Sequence, residues 1–221
     1  MKLLALETAN EHCSVCLVED SHSVFFALNE QAKAQTQTLL PMIEQGLQQQ
    51  GWTTSQLNVI AFSRGPGSFS GVRINAAVTQ ALAWSHDVPV IPVSTLQALA
   101  QAAYRLEGLT AVTAVLDARM NEVYIASFEL DIQGIMQAVD QEQLLNYSDA
   151  AQLVRFQLVG SGAGLIDQEQ IQYKGLSATA QDIATIARVC AQQQQWVSAE
   201  QALPVYLRDN AWKKIPEQGK A

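Results

Sequence analysis

Positive charge is what this sequence has least of. Thirteen Lys and Arg stand against 21 Asp and Glu, a net charge of −8. Proteins that grip nucleic acid unaided carry a basic face, because phosphate neutralisation dominates their affinity. The only basic cluster here is small: Arg208, Lys213, Lys214 and Lys220 near the C-terminus. Unaided nucleic-acid binding is therefore not expected. Long apolar runs are also missing, and none approaches the roughly 18–20 residues of a membrane span. The opening "MKLLALETANEHCSV" reaches Glu7 too soon to form a signal-peptide core, so it reads as a first strand. The expected setting is cytoplasmic, with no membrane contact.

Cysteine and histidine are scarce as well. Three cysteines cannot form a closed disulfide framework, which suits a reducing compartment. Cys13 and Cys16 form a C-x-x-C, but in a strand a spacing of three sends the two thiols to opposite faces. His12, His22 and His86 show no i, i+3 or i+4 pairing and no H-E-x-x-H, so a metal site is not expected. The glycine-rich stretch Arg64–Arg73, "RGPGSFSGVR", misses every familiar template by count. Phe69 occupies the centre of what would be a nucleophile elbow, and "GSGAG" at 160–164 fails the same test. A Walker loop would end in Gly-Lys-Ser/Thr, whereas this one ends Gly71-Val72-Arg73. Gly65, Gly67 and Gly71 give G-x-G-x-x-x-G, one residue too long for a dinucleotide fingerprint.

What is present is a hydrophobic chain, 48% apolar and 15% charged, with one pattern occurring twice. Strands at 2–8, 13–19 and 23–29 precede a helix from about Thr36 that Gly51 stops and Pro41 bends. A strand at 57–63, the glycine loop, a helix over 70–85, a strand at 88–93 and a helix from Ser94 follow. The order βββαβα then returns: strands at 111–117, 122–130 and near 135–139, a helix near 148–155, a strand at 156–160 and a helix over 180–195. The repetition predicts an α/β fold of two related lobes, 1–105 and 106–221, with the last segment a candidate to pack back on the first lobe.

In each lobe the first strand ends in an acid, Glu7 in one and Asp117 in the other. Carboxylates at the C-terminal ends of sheet strands commonly face the ligand cleft of α/β folds. Acids also end strands simply by capping the turn that follows. The glycine loop admits two readings. Free amides at a helix start, capped by Ser68 or Ser70 and helped by Arg64 or Arg73, attract an anion. Alternatively, the glycines allow positive φ and close backbone approach. Together Glu7, Thr8, Arg64, Gly65, Gly67, Ser68, Ser70, Arg73 and Asp117 form the candidate nucleotide or anion site.

Both helices of the first lobe carry more apolar surface than one sheet needs. Over 36–50, Leu40, Ile43 and Leu47 are assigned to the core, leaving Leu39, Met42 and Gly46 as a second stripe. Over 70–85, Ile74, Val78, Ala81 and Leu82 are assigned to the sheet, leaving Val72, Ala76, Thr79 and Ala83 for a partner.

With these pieces in place the whole chain resembles the TsaB (YeaZ) family. The resemblance rests on "LLALETA", "SRGPGSFSGVRIN", "DARMNEVY" at 117–124 and "PVYLRDNAWKK" at 204–214. It implies the actin-like ATPase fold of two ribonuclease-H-like lobes. It also implies a supporting role beside the paralogue TsaD, which transfers threonylcarbamoyl to the adenosine next to the anticodon of tRNA, with the ATPase TsaE as third partner. Family members dimerise through the helices of the N-terminal lobe, so a homodimer is expected in isolation, with tRNA contacted only indirectly. The family's usual first-strand Asp is Glu7 here, and a histidine common in relatives is Gln35. Neither acid is followed by the glycine-rich turn of an active ATPase. Two functional readings follow: a non-catalytic partner with no cofactor of its own, any nucleotide lying at the interface with TsaD, or an independent ATPase or peptidase of the actin-like/glycoprotease superfamily.

Overall fold

A computed structural model of the chain describes residues 1–31 and 34–208. Lys213, Lys214, Lys220 and most of the 204–214 motif therefore lie outside the described residues. The first sheet is built from β1 (Lys2–Glu7), β2 (Cys13–Glu19), β3 (His22–Asn29), β4 (Val59–Gly65) and β5 (Val90–Ser94). Its order is β3-β2-β1-β4-β5, with β1, β2 and β3 an antiparallel meander and β4 and β5 parallel to β1. This is the ribonuclease-H-like arrangement. The second sheet repeats it in shortened form, with β6 (Ala111–Arg119), β7 (Glu122–Leu130), β8 (Met136–Ala138), β9 (Gln143–Asn146) and β10 (Gln157–Val159). Its order is β10-β6-β7-β8, and β9 pairs with β7 beyond the end of β8. The third strand of this meander is thus split in two. The molecule is a two-lobed α/β protein of the actin-like ATPase type.

Period-two alternation divides each sheet between two helical layers. Leu4, Leu6, Val15, Leu17, Ile60 and Phe62 pack under α1 (Gln35–Gln50) and α2 (Phe69–His86). The alternate residues Leu3, Ala5, Val18, Val59 and Ala61 pack under α6 (Ala180–Gln192). Cys13 belongs to the first of these layers and Cys16 to the second, on opposite faces as their spacing requires. In the second lobe α3 (Thr95–Glu107) covers Val112, Ala114, Ala126 and Phe128. The other face of that sheet packs against α4 (Tyr147–Gln152) and α5 (Ala163–Ile166).

Two helices lie across the expected lobe boundary at 105/106 from the sheets they cover. Helix α3 precedes it in sequence yet packs mainly on the second sheet, with Ala98 reaching the first, and α6 follows it yet packs on the first. Each long connection carries its helix across to the other lobe. Residues beyond α6 also return: Val197 bridges to Val90, and the Val205 amide donates to the Arg64 carbonyl at 2.8 Å.

The helix faces need correcting. On α1 it is Leu39, Ile43, Gly46 and Leu47 that are buried, while Leu40 is 55% exposed and Met42 is only partly covered. Gly46 sits against the Phe25 ring, where a Cβ would collide. On α2 the buried set is Gly71, Val72, Asn75, Ala76, Thr79 and Ala83, and Ala81 is exposed. Ile74, Val78 and Leu82 flank that set, partly covered. The small side chains face the sheet because they let the helix backbone approach β4 closely. Asn75 fixes the rotation, donating to the Leu6 and Ser63 carbonyls at 3.2 Å each. Val72, Ala76, Thr79 and Ala83 are therefore core residues, and Leu39 and Gly46 with them.

Candidate functional site

Each lobe opens its chemistry at the turn after its first strand. In the first lobe that turn is residues 8–12. Glu7 is fully buried; its Oε1 accepts the Ala9 amide at 2.6 Å, and its Oε2 has no partner. Burial pushes its carboxyl up to about 7, against the opposing pull of the Ser63 hydroxyl and the Ala9 amide. Asn75 Oδ1 is a second buried acceptor without a donor. A proton on Glu7 removes the cost of an unpaired buried charge, which an ionised carboxylate here would carry in full.

The glycine loop packs directly on this turn. A Cβ at Gly67 would collide with the Ala9 carbonyl, and one at Gly71 with the Thr8 carbonyl. Thr8 Oγ1 donates to the Gly71 carbonyl at 2.8 Å. The Ser68 amide donates to the Ala9 carbonyl at 2.7 Å. Ser68 is the N-cap of α2, its hydroxyl accepting the Gly71 amide at 3.4 Å, while the Val72 amide takes the Ser68 carbonyl. Several amides that would greet an anion are thus engaged within the chain. Close approach is what the glycines provide at 67 and 71, and Gly65 adds a φ of 101°. Ser70 is exposed and makes no side-chain hydrogen bond in the described structure.

The two arginines of the loop turn outward to protein partners. Arg64 pairs with Glu142 of the second lobe at 3.4 Å. Arg73 stacks on the Phe69 ring, 3.3 Å from its centroid, and donates through Nε to the Tyr206 hydroxyl at 2.9 Å. Gln35 donates to the carbonyls of Asn10 and Glu11 at 3.3 Å.

In the second lobe Asp117 serves its own turn. Its Oδ1 accepts the Arg119 amide at 2.8 Å and its Oδ2 the Arg119 guanidinium at 2.9 Å. Arg119, Met120 and Asn121 all have positive φ, 62°, 57° and 62°, a costly run for residues other than glycine. The carboxylate offsets that strain. The counterpart of the glycine loop follows β10: Gly162 meets Val115 and Leu116 closely, and Ser161 Oγ accepts the Asp117 amide at 3.2 Å.

Chemically, these residues form two tightly packed junctions. Among the described residues no group of three His, Cys, Asp or Glu is placed to hold a metal ion, and no helix is long and apolar enough to cross a membrane. The candidate site residues fall into the two lobes' junctions, and the segment around Val205 to Arg208 joins them. Its part was not legible in residue types; the only signal was the motif at 204–214.

An exposed apolar face lies beside the first junction. Helices α1 and α2 touch each other on one side of the first sheet. Their outward surfaces show Leu40, Phe69, Ala77, Ala81 and Trp84, the last 66% exposed. Ala77, Ala81 and Trp84 follow i, i+4, i+7 spacing, one continuous helix face.

Comparison with known proteins gives a consistent picture. A family model described as "TsaD: tRNA N6-adenosine threonylcarbamoyltransferase" matches residues 29–219. The tRNA threonylcarbamoyladenosine biosynthesis protein TsaB of Escherichia coli (strain K12) is 37% identical, with 98% of this chain and 99% of that protein aligned. Its namesake from Haemophilus influenzae is 38% identical, with 98% of each covered. Among solved structures, YeaZ from Pseudomonas aeruginosa superposes with a TM-score of 0.86 at 37% identity, covering 93% of this chain and 99% of that one.

Proposed function

We propose a function for this chain from one premise: it belongs to the TsaB family of tRNA threonylcarbamoyladenosine biosynthesis proteins. It takes part in that modification as a non-catalytic partner of a TsaD-type threonylcarbamoyltransferase. The observation that carries this reading is the apolar face of α1 and α2, with Leu40, Phe69, Ala77, Ala81 and Trp84 open to solvent. Surface of this kind, continuous along a helix, marks a protein–protein contact. The face occupies the helices expected to pair, but its residues are the outward ones rather than Val72, Ala76, Thr79 and Ala83.

The condition of the two acids supports the same reading. An independent ATPase or peptidase would require Glu7 and Asp117 to act on a metal–nucleotide complex or a bound substrate. Glu7 is buried under the glycine loop and Asp117 is occupied by Arg119. The acidic balance of the chain fits a division of labour in which the TsaD-type subunit makes most of the contact with tRNA. A TsaE-type ATPase is the third component, a homodimer through the same face is the resting form, and any nucleotide lies at the boundary with the TsaD-type subunit.

Native mass measurement tests this reading. The wild-type chain mixed with a TsaD-type subunit is expected to give a heteromeric complex. Ala81→Arg should abolish it while leaving the thermal transition of the isolated chain unchanged, because Ala81 is exposed. An unaltered complex mass in that variant would rule out this face.

A further inference from the structure

The lobes are tied together at two places of very different character. At the back, α3 and α6 meet as each serves the other lobe's sheet. The Asp182 carboxylate, fully buried, accepts from Arg105 Nε at 2.8 Å and Nη2 at 3.0 Å. It also accepts the Thr179 amide at 2.9 Å and the Thr179 hydroxyl at 3.2 Å. Both carboxylate oxygens have donors, one at Oδ1 and three at Oδ2, and the side chain is closed off from solvent. Beside it, Ser14 Oγ accepts the Ala180 amide and Asn10 Nδ2 donates to the Ala178 carbonyl, both at 2.8 Å.

At the front, residues 202–208 cross from one lobe to the other without regular secondary structure. Among the described residues a single backbone hydrogen bond ties this segment to the first lobe, from the Val205 amide to the Arg64 carbonyl. Tyr206, about half exposed, accepts from Arg73. Three residues after Val205, within about 10 Å of chain, Arg208 reaches the β6–β7 turn. Its Nη2 lies 2.6 Å from the Glu122 carboxylate and donates to the Ala118 carbonyl at 3.2 Å, and its Nη1 contacts Met120 Sδ at 3.6 Å. The Val205 carbonyl lies over Gly65, 3.0 Å from where a Cβ would stand. Apart from this segment, the Arg64–Glu142 pair is the other ion pair at this edge among the described residues.

We propose that residues 202–208 form a releasable strap that holds the front of the interlobe cleft shut, with the α3–α6 crossing as its hinge. The asymmetry of the two ties is the reason. Partly exposed ion pairs and a lone backbone bond open more readily than a fully buried carboxylate held by four donors. With the strap seated, the backbone of Arg64 and Gly65 in one lobe and of Ala118 in the other is covered. When it lifts, those groups face the cleft, and the Arg64–Glu142 pair still spans it.

Amide hydrogen exchange on the full chain tests the strap. Val205→Pro deletes the one amide donor, and Arg208→Glu reverses the charge opposite Glu122. In both variants, peptides covering 63–72 and 117–124 should exchange about tenfold faster, with α3 and α6 unchanged. Glu122→Arg added to Arg208→Glu should return the 117–124 peptide to the wild-type rate. Unchanged exchange at the front in both variants would overturn the proposal. So would equal acceleration in α3 and α6, which would mean general destabilisation, or failure of the reversed pair to restore protection.

Discussion

The turns after β1 and β6 occupy the same place in two copies of one fold, yet their acids have parted company. Glu7 is sealed beneath a glycine loop with one oxygen unpartnered, and burial pushes its carboxyl up to about 7. Asp117 stands at the surface and closes a strained three-residue turn through Arg119. In both lobes a glycine loop from the neighbouring parallel strand comes down on the first strand, through Gly67 and Gly71 in one and Gly160 and Gly162 in the other. The scaffold is the same in both lobes, but what lies against its acid differs: close packing on one side and a closed turn on the other.

The largest expected effects come from breaking what the lobes share. Gly71→Ala places a methyl against the Thr8 carbonyl, which is backbone and cannot move aside. A loss of about 3 kcal/mol or more in denaturant unfolding is expected, at the upper end of overpacking costs. Arg105→Ala leaves the buried Asp182 carboxylate without its cation and should cost about 3 kcal/mol in the same measurement.

The next test probes the buried acid by pH. The folded-state value for Glu7 lies above its ordinary 4.5, so the native state binds the proton more tightly than the unfolded chain. The stability this contributes is fully present below pH 4.5 and is lost as pH rises through about 7. Glu7→Gln removes that dependence. Relative to the variant, the wild type should lose about 3 kcal/mol between pH 4.5 and 8, read from urea midpoints at each pH. Parallel pH profiles for Glu7→Gln and wild type would erase the contrast between the lobes.

The smallest effect belongs to the second turn. Ser161→Ala removes the acceptor of the Asp117 amide in a partly exposed setting. It should cost about 1 kcal/mol or less in the same unfolding assay, with no change in pH dependence.

Much of this architecture was legible in residue order, because turn residues and hydrophobic period are local. Gly51 ends α1 in the left-handed conformation, and the β2 and β7 boundaries fall where the apolar runs do. The faces of α1 and α2 were not legible. On α2 small and apolar residues run nearly all round the helix, so periodicity cannot choose a side, and the deciding group is a polar one, Asn75, reaching two backbone carbonyls. The exchange of α3 and α6 between lobes is a long-range choice that no local pattern encodes. Glu7 and Asp117 looked alike because each ends a strand; their difference lies in what folds over them.

The central claim is that the chain supports modification through its surface and not through its acids. Reconstituted threonylcarbamoylation of tRNA with TsaD-type and TsaE-type subunits tests it most directly. The account predicts that a chain carrying Glu7→Gln with Asp117→Asn sustains product formation within about twofold of wild type, and that Ala81→Arg abolishes it. Loss of activity in the acid variant, together with full activity in Ala81→Arg, would contradict it.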